Sequence, residues 1–185
     1  MEQPRCPPER SDLPRRSGRP GIVLIGFMGA GKSAVGRELA RRTGLPRRDT
    51  DEMMRRRFGL SIPQIFSQRG EAAFRDAETE ALRRLSANAI IVTGGGIVLR
   101  EENVRLLHAL GRTIWLDADE QTLWERAARR PTRPLLKTAN PRERFAELFH
   151  QRRALYASAA DGRIDTTARS LSEVAHEILC TFVSS

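Results

Sequence analysis

Lysine is almost absent from this chain. Only Lys32 and Lys137 interrupt a set of 32 basic residues that is otherwise arginine. The bias reflects coding composition, but it singles out any position where lysine does occur. Cysteine is scarce too: Cys6 and Cys180 lie near opposite ends, without metal-ligand spacing. Two free thiols in a reducing compartment are expected from that pattern. One tyrosine and two tryptophans leave little for stacking nucleic-acid bases. No apolar run approaches the roughly 20 residues of a membrane span, and the N-terminus lacks the apolar block of a signal peptide. The expectation is a soluble, cytoplasmic protein with neither a membrane nor a nucleic acid as partner.

What is present suits one domain. A chain of 185 residues, 39% hydrophobic, can bury an ordinary core without metal or disulfide staples. The formal charge is +9, from 32 basic and 23 acidic residues. Residues 1–20 hold five of the arginines and half of the ten prolines, with almost nothing apolar. This segment reads as a disordered N-terminal extension. Its arginines suit a targeting peptide, but Glu2, Glu9 and Asp12 weigh against one. Beyond it, charges alternate in sign along helical faces, and no basic stripe carries interleaved aromatics. An anionic small substrate accounts for the remaining excess as well as a nucleic acid would.

Residues 21–185 form the expected folded domain. Ile22-Val23-Leu24-Ile25 is a short continuous apolar run, as in a strand buried on both faces. A helix is expected from Lys32 to Thr43, stopped at Gly44. Weak strand character follows near 46–50, then helices near 51–58, 62–69 and 71–86. Strands at 89–92 and 113–116 bracket a helix at 101–110. A helix at 119–129 precedes a stretch, 129–141, interrupted by Pro131, Pro134 and Pro141. Helix 142–158, a strand near 163–165 and helix 170–182 complete the pattern. Strands alternating with helices imply a central parallel sheet covered on both faces, a three-layer α/β/α sandwich.

Directly after the first strand comes Gly26-Phe27-Met28-Gly29-Ala30-Gly31-Lys32-Ser33. It satisfies GxxxxGK[ST] between a buried strand and a helix start, the context that gives the motif its meaning. Backbone N–H groups from Gly29 to Ala34 would converge on phosphates, helped by the helix dipole. Lys32 would reach the β- and γ-phosphates of ATP, and the Ser33 hydroxyl would ligate Mg²⁺. The competing reading is a glycine-rich turn with an exposed lysine. The motif places the fold among P-loop NTPases, nucleoside monophosphate kinase-like.

Three further segments bear on the acceptor. Asp49-Thr50-Asp51 closes the second strand, where ligands gather in an open parallel sheet. The two acids could divide the work, one beside hydrated Mg²⁺ and one on a substrate hydroxyl; an aspartate before a helix also serves as a cap. In Gly70-Glu71-Ala72-Ala73-Phe74-Arg75-Asp76-Ala77-Glu78, Arg75 and Glu78 are three apart and can pair on one helical face. Such pairing would fix the guanidinium for bidentate contact with a carboxylate. Gly94-Gly95-Gly96 ends the third strand and suggests close approach of a ligand to the main chain, a plain loop being the alternative.

With Arg133-Pro134-Leu135-Leu136 and Arg152-Arg153-Ala154-Leu155-Tyr156, these segments resemble the shikimate kinases in order and spacing, over about residues 21–182. The resemblance implies ATP-dependent phosphorylation of the 3-hydroxyl of shikimate, with Mg²⁺. It implies that Asp49 is the Mg²⁺-associated acid, and that Asp51 contacts the shikimate hydroxyls and accepts the proton. Arg75 and Arg152 would grip the substrate carboxylate, with backbone contacts from Gly95 and Gly96. Register with Leu155-Tyr156 selects Arg152 over Arg153. Arg133 would swing over the transferred phosphoryl group from a mobile lid near 129–141. A second nucleotide-contacting arginine is Arg129, with Arg126 and Arg130 as alternatives. Adenine would lie against 165–169, with Arg169. Phe66 and Phe74 match aromatic positions of the substrate pocket. The catalytic set is thus Lys32, Asp51 and Arg133, and a monomer is expected. A gluconate-type kinase, a nucleoside monophosphate kinase and a non-catalytic ligand sensor are the rival readings.

Overall fold

The computed structural model describes residues 21–129, 136 and 138–182. The readings for 1–20 and for most of 129–141, Arg130 and Arg133 included, lie outside the described residues.

Five parallel strands make one sheet in the order β2-β3-β1-β4-β5. They are β1 (Gly21–Ile25), β2 (Arg47–Asp49), β3 (Ile90–Val92), β4 (Gly111–Asp117) and β5 (Gly162–Asp165). The apolar run of β1 is buried throughout, which fits its central place, with Leu24 opposite both Val92 and Ile114. Each such side chain removed from water is worth about 1.5–3 kcal/mol, so β1 anchors the core. The polar strand β2 lies at the edge, where Arg48 is exposed. An edge strand tolerates charge because one flank faces solvent.

Among the described residues seven α-helices flank the strands: α1 (Lys32–Thr43), α2 (Thr50–Phe58), α3 (Ile62–Arg83), α4 (Glu101–Leu110), α5 (Glu120–Ala128), α6 (Pro141–Ala159) and α7 (Leu171–Phe182). α1 packs on α7 and β3, while α4 packs on α3, β1 and β4. The expected split at residue 70 is present as a kink inside α3, where Gly70 leaves helical geometry. α2 and α3 enclose a second, smaller apolar cluster of Met54, Ile65, Phe74, Ala77 and Ala81.

β1 runs through α1 to β2, while neighbouring β3 runs through α4 across to β4. The chain therefore leaves two adjacent strands in opposite directions. Such a switch point opens a crevice beyond the strands' carboxyl ends, and the site forms there. Two further facts bear on compartment. No helix among the described residues is long and apolar enough to cross a membrane. Cys180 is disulfide-bonded, contrary to the expected free thiol, so the argument from free thiols to a reducing compartment loses its footing.

Candidate active site

A cavity of about 780 Å³ occupies the crevice, lined on one side by the loop after β1 and on the other by α2, α3, the glycines after β3, and α6. Gly31 takes φ 87°, a left-handed turn that an L side chain rarely adopts, and it starts α1. Ala34 and Val35 both donate their N–H groups to Gly31 O, at 2.9 and 3.0 Å. Lys32 Nζ donates to Gly26 O at 2.6 Å and Phe27 O at 3.0 Å, folding the ammonium over the loop. Gly29, Gly31, Lys32, Ser33 and Ala34 all line the cavity. Ala30 does not: its side chain is buried and its N–H turns inward to Phe27 O at 3.3 Å.

The acids take their places from β2 and α2. Asp49 caps α2, its Oδ1 accepting from Glu52 N–H at 3.2 Å, while its Oδ2 receives Arg47 Nη1 at 2.9 Å. The cap reading and the cavity-lining reading of Asp49 hold together. With both oxygens engaged, this carboxylate suits a metal's water shell better than direct ligation, and Mg²⁺ keeps several waters. Ser33 and Asp49 therefore fit a hydrated ion delivered with phosphates. Among the described residues no cluster of three His, Cys, Asp or Glu could hold a metal by itself.

The glycines after β3 are the junction of the acceptor side. Gly94 N–H donates to Thr50 Oγ1 at 3.0 Å, so the middle residue of Asp-Thr-Asp holds the loop. A Cβ on Gly94 would lie 2.8 Å from Asp51 Oδ1 and 2.9 Å from Glu78 Oε1, and one on Gly96 would lie 2.6 Å from Arg75 Cζ. The close approach expected here is thus already made by the protein's own side chains. Behind it, Thr79 Oγ1 donates to Asn103 Oδ1 at 2.8 Å, and Asn103 Nδ2 donates to Ile97 O at 3.1 Å. This buried chain ties α3 and α4 to the turn that follows the glycines.

Two buried guanidiniums face that junction. Arg75 donates to Glu78 Oε2 and, at 3.1 Å, to Glu71 Oε1, with its charge over the Phe74 and Phe66 rings. Arg152, 5% exposed, points Nη1 toward Gly95 O at 3.5 Å and has no carboxylate partner among the described residues. Burial lowers its pKa, and the charge of Arg75 nearby adds to that. Arg153, by contrast, is half-exposed on Asp117, so the register argument chose the buried member of the pair. Tyr156, one turn on from Arg152, donates its hydroxyl to Gly95 O, and burial raises its pKa so that it stays a donor. The sequence reading did not single it out, though its being the only tyrosine was a signal. Glu78 is fully buried, its Oε1 without a hydrogen-bond partner. Burial pushes its pKa up to about 7; Arg75 pulls it down and Asp51 pushes it up.

Of Arg126, Arg129 and Arg169, it is Arg126 that lines the cavity. Its Nη2 donates to the carbonyls of Thr166 and Thr167 at 2.8 and 3.0 Å, joining it to the 165–169 segment. Arg129 is exposed at the end of α5, and Arg169 is ion-paired with Glu177; neither lines the cavity. Phe66 and Phe74 do line it, ring centroids 4.6 Å apart.

A phosphate loop after the central strand, two acids where β2 passes into α2 and a cationic acceptor pocket across the crevice define a P-loop kinase for a small anionic acceptor. The comparisons narrow this class. The shikimate kinase family model matches residues 28–182. A shikimate kinase from Symbiobacterium thermophilum is 46% identical over 162 residues, covering 85% of this chain and 93% of the relative. Among solved structures, the Acinetobacter baumannii shikimate kinase in complex with shikimate superposes with a TM-score of 0.83 at 35% identity, covering 87% of this chain and 91% of that one. The Aquifex aeolicus shikimate kinase gives 0.72 at 39% identity, covering 86% and 93%. The chain belongs to the shikimate kinase family.

Proposed function

We propose that this protein transfers the γ-phosphoryl group of ATP to the 3-hydroxyl of shikimate. The observation that carries the acceptor is Arg152: a buried guanidinium, unpaired with any described carboxylate, beside Arg75 and opening onto the phosphate loop. A buried cation without a partner is costly, and a substrate carboxylate would relieve it by the bidentate geometry arginine favours. Gly95 and Gly96 then offer main-chain contacts to the same substrate end. The ring hydroxyls would point toward Asp51, which accepts the proton as the attacking oxygen bonds to phosphorus and the bond to the ADP oxygen breaks.

Phosphoryl transfer leaves the protein mainly positioning and charge stabilisation. Lys32 would leave the loop carbonyls for the transferring phosphate oxygens. Arg133 would join it, a role supported by the resemblance of Arg133-Pro134-Leu135-Leu136. Arg126 with the 165–169 segment is the proposed adenine site, in place of Arg129 and Arg169. Ser33 and, through water, Asp49 would hold Mg²⁺, which neutralises charge on the β- and γ-phosphate oxygens. A monomer working in the cytoplasm, where ATP is supplied, completes the proposal, with residues 1–20 as an extension outside the catalytic domain.

The test is Mg²⁺-dependent ADP release with shikimate, gluconate or no acceptor. Release that saturates with shikimate alone is expected. Arg75→Ala should raise the shikimate KM about tenfold to a hundredfold, the loss of a charged hydrogen bond worth ~1.5–3 kcal/mol, and change kcat less. Release with gluconate instead would overturn the acceptor. Silence with every acceptor, alongside ATP binding, would replace the kinase by a ligand sensor.

A further inference from the structure

The polarity of β2 is only half explained by its edge position. Arg48 is exposed there, but Arg47 keeps only 20% of its side chain in solvent. Its guanidinium does not line the cavity, yet it bridges two carboxylates that do. Nη1 reaches Asp49 Oδ2 at 2.9 Å, and Nη2 reaches Glu52 Oε1 at 2.6 Å. Asp49 itself is 7% exposed, and its other oxygen is taken by Glu52 N–H.

Consider the same wall without Arg47. Two carboxylates would then adjoin the cavity that also holds the Ser33 hydroxyl. Oxygen ligands of net negative charge are what a hard divalent cation seeks. A fixed cation between them removes that attraction, and at ~4 Å in a partly buried site it does so several times more strongly than it would in water. A metal carried by a nucleotide brings its own phosphate oxygens and does not depend on the wall for charge. Hydrated and anchored there, it needs Asp49 only as a partner for its waters.

We propose that Arg47 is a resident counter-ion that bars free divalent cations from the Asp49–Glu52 pair, so that the metal enters only as its nucleotide complex. This rests on the nucleotide-binding reading above. It makes Arg47 a positioning residue for the reaction, acting through Asp49 rather than on a substrate.

The test uses full-length protein and Mn²⁺ as the probe, followed by the electron paramagnetic resonance of the unbound ion. Wild-type protein without nucleotide should show no saturable Mn²⁺ binding through the millimolar range, while Mn·ATP binds. Arg47→Gln should gain one nucleotide-independent Mn²⁺ site, at least about tenfold tighter than anything wild type offers. Adding Asp49→Asn to that variant should abolish the gain, and Arg47→Lys, which keeps a cation, should not produce it. Equal affinity of wild type and Arg47→Gln for free Mn²⁺, with Mn·ATP binding intact, would overturn the counter-ion role alone. So would a gain that survives Asp49→Asn. Should Arg47→Gln fail to fold, the wild-type titration still decides, since tight nucleotide-free binding refutes the proposal. Failure of Mn·ATP to bind wild type would overturn the nucleotide reading, and the gate with it.

Discussion

At the scale of single residues, Glu78 is a carboxyl that burial moves well away from its free state. It is fully buried, one oxygen on Arg75 and the other without a partner against Gly94. Burial moves its pKa from 4.5 to about 7, so the folded protein holds a proton there that the unfolded chain releases earlier. Stability from this group is fully present below about pH 4.5 and is lost as pH rises through 7. At 1.36 kcal/mol per unit, the loss amounts to roughly 3 kcal/mol. Glu78→Gln, neutral at every pH, should lack that slope. In urea unfolding at pH 5 and pH 7.5, the variant should gain on wild type at the higher pH. Parallel pH dependences for the two proteins would show that Glu78 does not carry the burial cost assigned to it.

At the scale of elements, the loop Gly94–Gly96 shows how one short segment unites distant parts of the chain. Thr50 from α2 holds it, Arg75 and Glu78 from α3 press on it, and Arg152 and Tyr156 from α6 meet it at Gly95 O. Gly96→Ala would put a methyl carbon 2.6 Å from Arg75 Cζ, and the movable partner is the guanidinium, not backbone. The shikimate KM should therefore rise about tenfold, for ~1.4 kcal/mol, while the ATP KM and the melting temperature change little. An ATP KM that rose equally would place the loop's role elsewhere. The glycines, the P-loop and the helix starts were legible because each is a local rule written in a few adjacent residues. Arg75 and Glu78 were legible as neighbours on one helix face. Tyr156 was not singled out, because its partner at Gly95 is remote in sequence. Arg126 and Arg129 are not separable in the sequence, because only the fold shows which turn of α5 faces Thr166 and Thr167.

At the scale of the whole molecule, the net charge of +9 has nucleic acid as one general destination. The cavity offers a more specific one. Lys32, Arg37, Arg55, Arg75, Arg126 and Arg152 line it, opposed by Asp49, Asp51, Glu52 and Glu78. Arg37 and Arg55 are exposed and have no ion pair among the described residues. Two anionic substrates approaching such a concave, cationic mouth would be drawn in by the summed field. That attraction acts across solvent, whereas the buried contacts of Arg75 and Arg152 are screened far less. Salt should therefore lower kcat/KM for shikimate several-fold between about 0.01 and 0.1 M, where the Debye length falls from ~30 to ~10 Å, and leave kcat nearly constant. Replacing Arg37 and Arg55 together by glutamine should flatten that dependence without removing turnover. Initial rates at subsaturating shikimate across a KCl series test both statements. A dependence equally steep in the double variant would assign the effect to the buried clamp, and the charge at the mouth would then have no part in substrate capture.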